Sequence, residues 1–176
     1  MRRQGTRTGH AAVVAVLLVA SALLAGPAAA QDGGWSIDAF DVVLDIQPDG
    51  SIQVTESIRV DFGTLERRGI FRIIPVRFPL PPDADVPEGP PDEWLRVLDL
   101  DDLRVSSPSA PTDTELERPG VTGRDLSIRI GDPDVTITGA HEYRISYRVR
   151  GALNEVDGAP ELYWNATGDG WGVPIQ

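Results

Sequence analysis

The sequence predicts an all-β fold: an antiparallel β-sandwich, with the immunoglobulin-like arrangement as one form of it, preceded by a signal peptide. Apolar residues recur at every second position in seven or eight short runs, which is the spacing of half-buried strands. The 176 residues include 18 glycines and 15 prolines, which suit turns between short elements. No run has the spacing of a convincing amphipathic helix. The length allows one domain.

Residues 1–30 have the features of an export signal. Three arginines lie within the first seven residues, residues 11–24 are almost wholly Ala, Val and Leu, and residues 28–30 are alanines. A signal peptidase accepts such small residues. The apolar run is shorter than the ~20 residues needed to span a membrane. We therefore expect cleavage after Ala30, with an uncleaved anchor as the alternative, and a β-sandwich domain over residues 31–176.

The first two predicted strands form a hairpin. A Pro48-Asp49-Gly50 turn separates them, and Asp and Gly tolerate the positive φ angles that such turns require. In this register Glu56 falls on the apolar face. The alternating apolar residues are Phe40, Val42, Leu44 and Ile46 before the turn, and Ile52, Val54, Ile58, Val60 and Phe62 after it.

A third extended run covers residues 69–78. Pro75 has no N–H to donate, so this strand is predicted to lie at a sheet edge or to break there. Residues 94–100 are predicted to form a further strand because they lie among other strands. Two stretches rich in proline and polar residues, 80–91 and 106–123, are predicted to be loops.

The second half of the chain alternates again. Leu126, Ile128 and Ile130 predict a strand, and Val135 and Ile137 predict another after a turn. The clearest strand carries Tyr143, Ile145, Tyr147 and Val149 on one face and arginines on the other. Residues 162–164 and 171–175 are the last apolar segments.

The composition excludes several kinds of activity. The net charge of −11 is unsuitable for binding nucleic acid, which needs a basic face. There is no cysteine, and His141 is the single histidine after the signal, so a metal site or a catalytic triad is not expected. The acids around Asp101 and Asp132 are interpreted as turn and strand-end residues that face water, with a calcium site as the alternative. We expect no enzyme activity, no catalytic residues, no cofactor and no metal.

Glu56 is the acid whose position needs an explanation. A carboxylate on an apolar face is costly to bury unless it is paired. Arg68 and Arg72 are candidate partners, because a guanidinium can bind a carboxylate through two hydrogen bonds. The sequence predicts a structural ion pair between strands, with ligand binding as the alternative.

Tyr163, Trp164 and Trp171 are a candidate ligand platform. Aromatic faces accompanied by a few polar groups are typical of sugar sites. The alternative is that these side chains belong to the core and the edge of the sandwich.

Five short segments carry a family resemblance, in the same order along the chain. They are Trp-Ser-Ile at 35–37, Asp-Gly-Ser at 49–51, Arg-Gly-Ile-Phe-Arg at 68–72, Tyr-Arg-Ile-Ser-Tyr at 143–147 and Glu-Leu-Tyr-Trp-Asn at 161–165. Together they resemble the N-terminal domain of the bacterial DUF2207 family, which are predicted membrane proteins of unknown function.

The resemblance implies an extracytoplasmic domain followed by transmembrane helices, with no catalytic residues to carry over. In that plan the domain would continue beyond Gln176, so we expect either a truncated protein, whose sandwich would lack its last strands, or a soluble remnant. We interpret the protein as a non-catalytic extracytoplasmic domain, membrane-anchored on the outer face in its full-length form and otherwise secreted. The alternative is an exported module that binds glycan or cell wall. The expected partner is a cell-envelope protein or a glycan.

Overall fold

A computed structural model describes residues 34–80, 94–118, 123–156, 159–162, 164–168 and 170–176. The signal peptide and most of the loop predicted at 80–91 lie outside these ranges. Within them the chain forms strands and no helix, which confirms the all-β prediction. The strands are β1 (Ser36–Ile46), β2 (Ile52–Asp61), β3 (Ile70–Pro75), β4 (Arg77–Pro79), β5 (Leu95–Val97), β6 (Asp99–Ser106), β7 (Thr114–Glu117), β8 (Asp125–Ile130), β9 (Ala140–Arg150), β10 (Leu153–Val156) and β11 (Ala159–Leu162).

Two sheets share one apolar core. The larger has the order β1-β2-β9-β6 and the smaller has the order β3-β8-β7. Strands β4 and β5 form a separate pair, as do β10 and β11, and every strand pair is antiparallel. Buried residues from β2, β3, β8 and β9 belong to a single cluster. The architecture is therefore the predicted antiparallel β-sandwich, and its immunoglobulin likeness stays a prediction.

The β1–β2 hairpin is formed at the predicted turn. One Asp49 carboxylate oxygen accepts hydrogen bonds from the Ser51 N–H at 3.0 Å and from the Ser51 hydroxyl at 2.6 Å. These bonds lower the pKa of Asp49 because they favour its charged form. Gly50 adopts a φ of 78°, which glycine allows without strain.

The centre of the larger sheet is the β2–β9 pair. Its register places Val54 opposite Tyr147 and Glu56 opposite Ile145. Alternate side chains of both strands are buried, because successive residues of a strand point to opposite faces of a sheet. The apolar faces predicted for both strands are confirmed.

Strand β3 forms one edge of the smaller sheet, as predicted, and ends at Pro75. Just outside its ladder with β8, Gly69 and Gly131 lie against each other with φ angles of 130° and 132°. A Cβ built on Gly69 would lie 1.8 Å from the Ile130 carbonyl oxygen, and one on Gly131 would lie 1.9 Å from that of Arg68. This close approach of two backbones requires glycine on both sides.

Three sequence predictions differ from the structure. The predicted loop at 106–123 contains β7, an edge strand whose four residues are all exposed, so that no apolar alternation marks it. The strand predicted around Val135 is wrong, since this region forms a turn and a single bridge between Ile137 and Arg67. The hairpin of β10 and β11 was not predicted, and the described residues contain eleven strands, not seven or eight.

Candidate functional site

Glu56 lies at the centre of the sandwich. It is the fifth residue of β2, on the inner face between Val54 and Ile58, and its exposure is 0%. The neighbouring strands provide Val42 on one side and Ile145 on the other. A carboxylate in such surroundings is stable only with partners of its own.

Arg72 reaches Glu56 from the opposite sheet. Its Nε donates to Oε2 and its Nη2 donates to Oε1, both at 2.8 Å. The Tyr147 hydroxyl, from β9, donates to the same Oε1 at 2.6 Å. Both carboxylate oxygens are therefore engaged, and the fork of the guanidinium matches the carboxylate in the bidentate geometry that arginine favours. This contact joins the two sheets through their buried faces.

The remaining donors of Arg72 bind main-chain oxygens. Nη1 donates to Ile73 at 2.8 Å, and Nη2 donates to Ala166 at 3.2 Å. The guanidinium carbon also lies 5.4 Å from the centre of the Phe40 ring, within cation–π range. The residues around Ala166 thus pass over the ion pair and contribute to its seclusion from solvent.

Burial and charge act together on the ionisable groups of this cluster. Burial alone would lower the pKa of Arg72, but the hydrogen bonds and the negative charge of Glu56 outweigh it and raise that pKa. The pKa of Tyr147 is raised, first by burial and then by the charge of Glu56. Both groups therefore keep their protons near neutral pH, Arg72 as a cation and Tyr147 as a neutral donor.

The structure does not bring Arg68 to Glu56, which corrects the expectation that it is a candidate partner. Arg68 precedes β3 and is exposed. If strand alternation extended backward from Arg72, Arg68 would share its inward face. Gly69, with its φ of 130°, interrupts that alternation and turns the preceding residue away from the core.

The three aromatic residues predicted as a ligand platform do not meet on one surface in the part of the chain that is described. Tyr163 lies outside the described residues. Trp171 lines a groove of about 470 Å³, whereas Trp164 lines another of about 350 Å³ beside Phe78 and Arg124. The lining residues of the two grooves do not overlap, and Gly168 and Gly170, which lie between the two tryptophans in the chain, contact Ile73 of β3.

His141 forms a hydrogen-bonded pair with a serine that the sequence did not indicate. Its Nδ1 lies 3.0 Å from the Ser109 hydroxyl, and its Nε2 lies 3.0 Å from the Thr138 carbonyl oxygen. Because a carbonyl can only accept, Nε2 carries the hydrogen, and in the neutral ring Nδ1 accepts from Ser109. Across the described ranges there is no cluster of three or more residues suited to holding a metal ion.

Fold and site define an all-β sandwich domain whose buried charges are paired with one another. The chain belongs to the DUF2207 family: the family model described as "Predicted membrane protein (DUF2207) N-terminal domain" matches residues 36–176. This confirms the resemblance seen in the sequence and assigns the chain to a family of predicted membrane proteins. No helix among the described residues is both long and apolar enough to cross a membrane.

One curated relative supports this assignment. The chain is similar to the Uncharacterized protein YciQ of Escherichia coli (strain K12), with 28% identity over 142 residues. The aligned region covers 79% of this chain and 20% of that protein, so the chain spans about a fifth of the relative's length. No solved structure matches the chain.

Proposed function

We propose that residues 31–176 form a non-catalytic domain on the outer side of the cytoplasmic membrane, as part of a membrane-associated protein. The observation that carries the proposal is the N-terminal segment, with its early arginines, its apolar run at 11–24 and its alanines at 28–30. That combination directs chains to export and processing. Membership in a family of predicted membrane proteins supports the association with a membrane.

Export is tested by fusing alkaline phosphatase to the C-terminal end of the chain, since this enzyme needs the oxidising compartment outside the cytoplasm. Replacing Leu17 and Leu18 with arginine should lower phosphatase activity about tenfold or more, because each arginine costs roughly 2.5–3.5 kcal/mol in an apolar segment. N-terminal sequencing of the exported protein should begin at Gln31.

The matched control replaces the same two leucines with alanine, which keeps the segment apolar and should preserve the phosphatase activity. Equal activity in the arginine and alanine variants would contradict export through this segment. An inactive fusion of the original sequence, with the fusion protein present in the cell, would contradict the outer location itself.

Two contacts support the non-catalytic part of the proposal. Glu56, the buried acid, has both oxygens bound by Arg72 and Tyr147 and is sealed from solvent. In the Ser109–His141 pair the serine hydroxyl contacts Nδ1 and Nε2 donates to the Thr138 carbonyl, whereas in a serine hydrolase the serine contacts Nε2 and a carboxylate accepts from Nδ1. That carbonyl orients the ring but carries no full charge to stabilise an imidazolium.

A fluorophosphonate probe tests this interpretation, because it labels serines that are activated as nucleophiles. We expect the folded protein to remain unlabelled under conditions that label a serine hydrolase added to the same tube. Labelling that disappears in the Ser109→Ala variant would show that Ser109 is a nucleophile and would refute the non-catalytic assignment.

A further inference from the structure

The groove that contains Trp171 has the size and lining of a small-molecule site. Its volume of about 470 Å³ falls within the roughly 300–1,000 Å³ of ligand pockets. Four aromatic side chains line it, and arginines lie among them. The aromatic residues are Trp35, Phe62, Phe71 and Trp171.

Ring contacts and a hydrogen bond hold the aromatic walls in place. The rings of Trp35 and Phe62 are 5.6 Å apart, and Trp171 packs edge-on against Phe40 at 5.8 Å. Trp171 Nε1 also donates to the Thr167 carbonyl at 2.8 Å. Because these side chains are already ordered, little conformational entropy would be lost in ordering them when a ligand binds.

The charge of the groove is opposite to that of the protein. The chain carries a net charge of −11, yet Arg67, Arg68 and Arg129 all line this cavity. Arg129 is neutralised by Glu115 at 2.6 Å. Arg68 is exposed and, within the described ranges, forms no ion pair with a carboxylate. Its guanidinium is therefore available to an anion at the rim of an aromatic pocket.

Among the described residues, no carboxylate lines the groove. Pro133 lines the groove between two aspartates, and the Asp132 carboxylate accepts the Asp134 N–H at 2.8 Å. That carboxylate is thus engaged with its own turn.

We propose that this groove binds a small organic anion, with a flat apolar body between the aromatic walls and a carboxylate, phosphate or sulfonate group on Arg68. Aromatic rings contribute apolar contact area and stacking, and arginine binds carboxylate and phosphate groups through paired hydrogen bonds. The proposal is independent of export and of catalysis, and goes beyond the function proposed above.

Two fluorescent dyes with the same ring systems test it on the whole chain. Anilinonaphthalene sulfonate carries the anion, and N-phenylnaphthylamine lacks it. We expect the sulfonate to bind at one site, with Arg68→Glu raising its dissociation constant about tenfold or more, which corresponds to about 1.4 kcal/mol. The same substitution should leave the affinity of the neutral dye unchanged.

Two further variants separate the parts of the site. Arg144→Glu makes the same charge change on an exposed residue of β9 outside the groove, and should alter neither affinity. Phe71→Ala removes a side chain that is 59% exposed. It should therefore leave the fold intact while lowering the affinity for both dyes. Benzoate and phenyl phosphate should displace the sulfonate dye, whereas benzyl alcohol should not, and the stronger competitor identifies the preferred anion.

Near-UV circular dichroism of each variant must match the original protein, because the sulfonate dye also binds partly unfolded chains. If Arg68→Glu disturbs the fold, Arg68→Gln is used in its place, and it too should weaken binding of the sulfonate dye and leave binding of the neutral dye unchanged. Absence of sulfonate binding to the folded protein would overturn the proposal. Equal affinity for the two dyes would do so too, as would equal effects of Arg68→Glu and Arg144→Glu.

Discussion

Arg72→Met is expected to lower the free energy of unfolding by about 3–5 kcal/mol, the usual cost of removing one partner from a buried ion pair. The variant keeps a side chain of similar length but leaves Glu56 buried with Tyr147 as its remaining side-chain partner. Whole domains are stable by only about 5–15 kcal/mol, so the loss is a large part of the total. Urea unfolding followed by circular dichroism measures it.

The structure offers a matched control on the surface. Arg129 also contacts a carboxylate through Nε and Nη2, at 3.0 and 2.6 Å from Glu115, but this pair is largely exposed. Arg129→Met should therefore cost about 1 kcal/mol or less. If the two methionine variants lose equal stability, the buried pair does not have the importance assigned to it.

A compensated variant distinguishes the loss of the pair from the loss of shape. Replacing Glu56 with leucine, Arg72 with methionine and Tyr147 with phenylalanine together removes every charged and hydroxyl group of the cluster. Such replacements of buried ion pairs are often neutral or stabilising, so we expect this triple variant to be more stable than Arg72→Met alone. A triple variant less stable than the single one would show that the polar groups are needed for the packing itself.

Gly69→Ala is expected to be similarly damaging, for a steric reason. A φ of 130° would cost an L-residue about 1–3 kcal/mol, and forcing a methyl group into occupied space adds about 1–3 kcal/mol. The added Cβ would lie 1.8 Å from the Ile130 carbonyl oxygen, which is backbone and cannot rotate away. Thermal and urea unfolding should both show the loss, and Gly131→Ala should behave alike.

Gly139 provides the comparison, because it also has a positive φ, 75°, but nothing lies within 4 Å of a Cβ built there. Gly139→Ala should cost only about 1 kcal/mol, from the backbone conformation alone. A similar loss at Gly69 and Gly139 would mean that the close approach between the start of β3 and the end of β8 relaxes at little cost.

Much of the sandwich could be predicted from the sequence, because its central strands alternate apolar and polar residues. Strand β7 could not, since its Thr-Glu-Leu-Glu sequence faces solvent along its whole length. It is recognisable as a strand only from its pairing with β8.

The buried cluster of Glu56, Arg72 and Tyr147 could be predicted in part from the sequence. Glu56 was conspicuous as an acid among apolar neighbours, which pointed to a basic partner. The choice between Arg68 and Arg72 depends on where β3 begins, and the backbone conformation of Gly69 decides that. Tyr147 was interpreted as an apolar residue of the inner face, since alternation does not reveal whether a buried hydroxyl has an acceptor.

Of the residues that line the groove, the sequence marked only Trp171 as a candidate for ligand binding. Its lining residues lie at or next to the start of β1, the end of β2, the start of β3 and the end of β8, and in the segment at 170–172. They become neighbours only when both sheets are assembled, and no local pattern connects them.

The order of strands along the chain has a consequence for how the protein reaches its native state. Strand β2 forms a local hairpin with β1, but its other edge pairs with β9, which is far along the chain. Tyr147 of β9 is 91 residues beyond Glu56 of β2. Folds dominated by such distant pairings acquire their structure slowly, in about milliseconds to seconds. Until then the hairpin presents an unpaired β edge, a template for intermolecular aggregation. A chain that ends before β9 would therefore leave this edge of β2 unpaired and prone to association, and pairing with β9 is what covers it.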